Sequence, residues 1–153
     1  MRGSERCFVD TNVLLYAVDP ADPAKQRAAN GWLTVLWETG LGCLSWQVLN
    51  EFYVNAVRKG RTANRKARRV VEVYATWPLV ELSLGTIQRA WHWMDAAQLS
   101  YWDALIVAAA ERGGCDRLLT EDLQHGQRLG ALTVVNPFLV QPAALGFPSK
   151  LTR

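Results

Sequence analysis

Four acids of this chain stand in apolar company. Asp10 follows Phe8 and Val9, Glu51 sits between Leu49 and Phe52, Asp103 falls within YWDALIVAAA, and Asp122 follows the strand-like RLLT. An ionised carboxylate taken out of water without a partner is costly, so it shifts its pKa, finds a counter-charge or binds a metal. Four like charges gathered at one place would repel and raise one another's pKa values, a conflict that a divalent cation removes. All-oxygen ligands suit Mg²⁺ or Mn²⁺, and the lack of a local His or Cys cluster argues against zinc. On a phosphodiester such a site polarises a phosphoryl oxygen and acidifies a water for in-line attack.

That chemistry requires the four to meet, and the pattern of elements supplies a meeting place. Short β-rich apolar runs recur at residues 7–9, 42–45, 79–82, 117–120 and 132–135, with helical patterns between them. Alternation of this kind predicts an α/β domain with a mainly parallel, five-stranded sheet covered by helices on both faces. Asp10 ends the first strand, Glu51 lies about one and a half turns into the helix after the second, and Asp122 follows the fourth by two residues. Asp103 opens the helix that runs back toward the fourth strand. All four therefore fall at the carboxyl edge of the sheet, where ligands of open α/β sheets bind.

The helices are legible from their periodicity. After Pro23, Ala28, Trp32, Val35 and Leu36 follow the spacing of one buried face, with Gly40 near the end. A second helix follows Ser45, carries Val48, Leu49, Phe52 and Val57, and stops near Gly60; Thr62 is a reasonable N-cap for a third. Residues 85–99 read as an amphipathic helix and 102–112 as a largely buried one ended by Gly113 and Gly114.

At 153 residues the chain is the size of one domain, able to bury roughly 70% of its unfolded surface. With 50% hydrophobic and 20% charged residues it is neither a disordered nor a membrane composition. No apolar run would span a bilayer and the first residues lack a secretory pattern, so a cytoplasmic location is expected. Cys7, Cys43 and Cys115 form no CxxC pair, which argues against a disulfide framework and for small buried hydrophobes. The net charge of +3 is mild, but Arg58, Lys59, Arg61, Arg65, Lys66, Arg68 and Arg69 fall within twelve residues that contain no acid. A polyanionic partner is then plausible, and with the acids it suggests a metal-dependent nuclease.

Together the motifs resemble a known family. Val9-Asp10-Thr11-Asn12-Val13-Leu14-Leu15-Tyr16, Asn50-Glu51-Phe52, Tyr101-Trp102-Asp103-Ala104-Leu105-Ile106 and Leu119-Thr120-Glu121-Asp122-Leu123 are similar, in order and spacing, to the four acidic motifs of the PIN-domain ribonucleases. Within that family the likeness is to the small toxins of VapBC-type toxin–antitoxin pairs, and it runs from Cys7 to about Phe138, through the VVNPF ending. The resemblance implies a three-layer α/β/α nuclease domain over residues 1–138, and Pro137, Pro142 and Pro148 predict an irregular tail over 139–153. It implies endonucleolytic cleavage of RNA with Mg²⁺ or Mn²⁺, homodimerisation, and neutralisation by a small antitoxin. It carries metal binding and catalysis to Asp10, Glu51, Asp103 and Asp122, with Asn12 and Thr120 as supporting polar groups that fix the ligands. Asp122 is preferred to Glu121 for the family spacing and because adjacent side chains on an extended segment point apart.

Plainer accounts stand beside these. Asp10 and Asp103 could be helix N-caps without catalysis, although that leaves Glu51, inside a helix, unexplained. The basic residues Arg58, Lys59, Arg61, Arg65 and Arg69 could contact RNA, contact the antitoxin, or form a solvated helix face. The seven tryptophans are expected mostly in the core or a dimer interface. Trp46 and Trp102, each near a motif acid, are the candidates for stacking on bases, with burial expected for both. His92 and His125 are isolated and read as surface or structural residues. Two rival functions remain: an RNA-processing nuclease without an antitoxin, and a catalytically silent RNA-binding module.

Overall fold

A computed structural model describes residues 5–58 and 62–148. Its strands are β1 (Cys7–Val9), β2 (Gly42–Ser45), β3 (Leu79–Val80), β4 (Arg117–Leu119), β5 (Arg128–Leu129) and β6 (Leu132–Val135). Its α-helices are α1 (Thr11–Ala17), α2 (Pro23–Thr39), α3 (Trp46–Arg58), α4 (Asn64–Tyr74), α5 (Leu84–Ala97) and α6 (Tyr101–Arg112). The sheet runs in the order β3-β2-β1-β4-β6-β5, parallel except for the β5–β6 pair.

This order fixes the layers. The chain steps outward from β1 to β2 to β3 and then reverses to β4 on the other side of β1. Right-handed crossovers therefore put α1 to α4 on one face and α5 and α6 on the other. The packing follows: α1 meets α2 and α3, α3 meets α4, and α5 lies along α6. Where the order reverses, between β1 and β4, neighbouring loops part and leave a crevice at the carboxyl ends of the strands. Strands buried on both faces need continuous apolar runs, and Cys7, Phe8 and Val9 are fully enclosed. Gly42 starts β2 because the Trp77 indole lies where a Cβ would stand.

The sheet has six strands rather than the expected five. The addition is β5, whose Arg128 and Leu129 pair with Thr133 and Leu132 across a two-residue turn, Gly130-Ala131. Gly130 takes φ +63°, which such a hairpin requires at its first turn position. Two residues are too few to show a period-2 pattern. The buried face of α2 is Ala29, Trp32, Leu33 and Leu36, turned slightly from the expected Ala28–Val35 stripe. Gly40 closes that helix in the left-handed region at φ 69°. Thr62 is not the cap of α4, which starts at Asn64 behind Ala63 with no side-chain cap. Gly60 lies outside the described residues.

Helix α6 is buried from Ala104 to Ala110, its small residues letting it lie close to the sheet. The C-terminal stretch is not irregular throughout: Pro142–Leu145 forms a 3-10 turn, and Phe147 packs edge-on against Trp32. The three cysteines are free and buried, and burial pushes the Cys7 thiol up to about 12. No helix among the described residues is long and apolar enough to cross a membrane.

Candidate functional site

At the carboxyl end of β1, Asp10 turns out of the strand in extended conformation and caps α1, its Oδ1 accepting from the Thr11 amide at 2.7 Å. The residue is thus the N-cap that its position allows, yet capping uses only one of its oxygens. Oδ2 accepts from the Thr120 hydroxyl at 2.8 Å and from Asn12 Nδ2 at 3.4 Å. Thr120 follows β4 and is fully buried, so this bond ties together the two strands that border the crevice.

Thr120 is saturated. Its hydroxyl donates to Asp10 and accepts from Asn12 Nδ2 at 3.1 Å and from the Asp122 amide at 3.0 Å. Asn12 Nδ2 also donates to Asp122 Oδ2 at 3.1 Å, so one amide group spans two of the acids. The neighbouring Glu121 points elsewhere, its Oε2 held by Lys25 at 2.7 Å.

Glu51 is held from two sides. Thr11 donates its hydroxyl to Oε2 at 2.8 Å, and Gln47, one turn earlier on α3, donates Nε2 to Oε1 at 2.8 Å. Neither Thr11 nor Gln47 stood out in the sequence. Gln47 carried a faint signal in its i−4 spacing from Glu51, whereas Thr11 acts across the α1–α3 packing, forty residues away in the chain. Asp103 lies in the first turn of α6, where Ser100 caps the helix by accepting from the Asp103 amide at 3.2 Å.

The electrostatics show that these acids feel one another. Burial pushes Asp10 up to about 7; the Thr120 and Thr11 hydrogen bonds pull it down, while the charges of Asp122 and Glu51 add to the rise. Asp103 is raised too, first by burial, with the Ser100 hydroxyl opposing and Asp122 and Glu51 again adding. Asp103, on α6, and Glu51, on α3, come from opposite layers and interact across the sheet edge.

The donor set fits a hard divalent cation: carboxylate oxygens, oriented by hydroxyl and amide groups, in a place where negative charge is self-repelling. Asn12 Oδ1 adds to this fit, being buried without a hydrogen-bond partner, an acceptor suited to a water in a cation's hydration shell. Among the described residues, no three acid, His or Cys side chains stand close enough together to enclose an ion. The fit is one of donor chemistry and charge rather than of a closed cage.

Of the other candidates, Arg58, Arg65 and Arg69 are exposed; the latter two lie on α4, which packs on the helix of Glu51. Lys59 and Arg61 lie outside the described residues. His125 Nδ1 accepts from the Asn136 amide at 3.0 Å, a loop contact away from the acids' network. Trp32, Trp77 and Trp93 are buried, but Trp37, Trp46, Trp91 and Trp102 are exposed, contrary to the expectation of burial for Trp46 and Trp102.

A doubly wound sheet with Asp10, Asn12, Thr120 and Asp122 hydrogen-bonded at its switch point defines the class, an open α/β domain of the kind that binds ligands there. Residues 7–128 match the PIN domain family, and the chain belongs to that family. No curated protein sequence matches it. Among solved structures, a toxin–antitoxin complex from Klebsiella pneumoniae superposes with a TM-score of 0.62 at 19% identity, covering 86% of this chain and 97% of that one. The sarcin-ricin loop cleaving toxin VapC20 of Mycobacterium tuberculosis gives 0.59 at 20% identity, covering 93% and 96%. VapBC2 of Rickettsia felis, bound to a promoter DNA fragment, gives 0.59 at 14%, covering 84% and 96%. At such identities the likeness concerns the fold, which is that of VapC toxins.

Proposed function

We propose that the protein is a Mg²⁺- or Mn²⁺-dependent endoribonuclease and the toxin of a VapBC-type pair, acting in the cytoplasm as a homodimer and restrained by a small antitoxin. The observation that carries this reading is Asp10, a buried carboxylate at the switch point of the sheet whose second oxygen is joined through Thr120 and Asn12 to Asp122. Capping α1 uses only one oxygen of Asp10, so the cap does not account for the network built on the other, and such networks at a cleft mark functional sites. The structural likeness to an RNA-cleaving toxin and to toxin–antitoxin complexes supports the substrate class and the partner.

Asp10, Glu51, Asp103 and Asp122 would hold the cation. When bound, it supplies positive charge at the scissile phosphate and acidifies water to a nucleophile. The chain's own task is to keep those oxygens in place. Thr120 and Asn12 orient Asp10 and Asp122, and Thr11 and Gln47 fix both oxygens of Glu51. The buried wall behind Asp10 excludes bulk water, which strengthens every charge interaction at the edge.

Induced expression in a bacterial host tests the setting. Growth arrest by the parent, relieved by co-expressing the product of the adjacent small gene and absent for Asp10→Asn, is expected. Arrest that persists in Asp10→Asn, or no arrest at all, would contradict the toxin reading.

A further inference from the structure

Trp46 and Trp102 are 43% and 64% exposed, large apolar surfaces that a monomer would otherwise bury. Trp46 opens α3, one residue before the Gln47 that holds Glu51, and Trp102 directly precedes Asp103. Helices α3 and α6 belong to opposite layers, so the two tryptophans stand on opposite sides of the sheet edge at which the acids lie. Tyr101 lies against Trp102 with ring centroids 5.5 Å apart and braces it at the rim.

Behind Trp46 an open groove of about 420 Å³ runs between α3 and α4. On α3 its wall is Trp46, Leu49, Asn50 and Tyr53, one helical face, about a third of a turn around the helix from Gln47 and Glu51. On α4 its wall is Arg68, Val71 and Glu72. Arg68 Nε donates to the Tyr53 hydroxyl at 3.1 Å, which holds the guanidinium at the groove and leaves its terminal N–H groups pointing away from that bond. The one acid of the lining, Glu72, is paired with Arg69 at 3.7 Å. Arg65, Lys66, Arg68 and Arg69 are all exposed on this short helix, so the balance of charge beside the groove is cationic.

We propose that Trp46 and Trp102 are base-stacking plates on either side of the acids, and that the α3–α4 groove is the track of single-stranded RNA, gripped at its backbone by Arg68. This rests on the ribonuclease reading and adds to it the means of selecting unpaired RNA. Indole faces stack on any unpaired base, and a guanidinium pairs with phosphate, whereas a duplex hides its base faces. Two indoles on separate helices suit successive bases of one strand better than a single docked peptide helix.

The test is binding of a fluorescein-labelled single-stranded RNA and of its duplex in EDTA, where affinity is read without cleavage. The single strand is expected to bind more tightly than the duplex. Trp46→Ala and Trp102→Ala should each weaken single-strand binding about 5- to 150-fold. Trp46→Phe and Trp102→Phe should restore most of it, and Trp91→Ala, at an exposed tryptophan on α5, should leave it unchanged. Arg68→Ala should reduce the salt slope by about 0.7. Parental affinity in both Trp→Ala variants, or equal affinity for duplex and single strand, overturns the proposal and would leave the groove to a protein partner. Cleavage measured separately with Mn²⁺ keeps the two ideas apart. Loss of stacking without any cleavage by the parent would sink the nuclease reading alone; cleavage with stacking-independent binding would sink this one alone.

Discussion

Replacing Asp10 by Asn should stabilise the metal-free protein, and by an amount that grows as the pH rises from 5 to 8. Asp10 titrates at about 7 in the fold against an ordinary value of 3.8. Because the folded value is raised, the folded state holds a proton between those two values that the unfolded chain has lost. Stability from this group is therefore greatest at low pH and falls as pH rises, levelling off above about 7. The full shift of about 3 units corresponds to about 4 kcal/mol, and the part falling between pH 5 and pH 8 to about 2.5 kcal/mol. Asn keeps the α1 cap, since Asn and Asp cap comparably, but cannot ionise. Its changed bond to Thr120 costs about 1 kcal/mol at every pH. In urea unfolding followed by tryptophan fluorescence in EDTA, the variant should thus gain about 2.5 kcal/mol on the parent between pH 5 and pH 8. Adding Mn²⁺ should reverse the order at pH 8, because cation binding stabilises the ionised parent by about 4.1 kcal/mol at a thousandfold excess over Kd, more than the variant's lead of about 3 kcal/mol. Parallel pH profiles for parent and variant would refute the reasoning.

Thr120→Val preserves shape but removes the hydroxyl that joins Asp10, Asn12 and the Asp122 amide. It should lower stability by about 1–3 kcal/mol and Mn²⁺ affinity about 10- to 100-fold, read by urea unfolding and by calorimetric titration. Gln47→Leu frees one oxygen of Glu51 while the helix stays intact; about a tenfold loss of Mn²⁺ affinity with unchanged unfolding is expected, and an unchanged affinity would remove Gln47 from the site. Cation affinity in the parent should fall as pH drops below about 7, by about tenfold per pH unit, since Asp10 must lose its proton to bind; a pH-independent affinity would show that Asp10 is not a ligand.

The candidate acids stood out in the sequence because each is chemically out of place: a carboxylate in YWDALIVAAA or behind CFV has no bland explanation that also covers Glu51. The parallel sheet was legible from alternating apolar runs. What stayed hidden depends on packing between distant segments. Thr11 reaches Glu51 only because α1 lies on α3, and no local pattern records that contact. Strand β5 is two residues long and owes its existence to the turn at Gly130 rather than to its own side chains. The exposure of Trp46 and Trp102 was equally invisible, since a tryptophan at a helical position serves a core or a surface equally well. Trp32 and Trp46 differ not in type but in which layer faces them.

The account stands or falls on whether the acids cut RNA. The direct measurement is the rate of cleavage of a defined single-stranded RNA by the purified chain in Mn²⁺, beside Asp103→Asn and an EDTA control. Asp103 is half-buried at the start of α6, where Ser100 supplies the cap, so the Asn variant should fold with only about 0.3–1 kcal/mol lost from the helix dipole. The account predicts cleavage by the parent that EDTA abolishes and a drop of about 100-fold or more in the variant. Equal rates for the parent and a folded Asp103→Asn, or cleavage indifferent to EDTA, would contradict it.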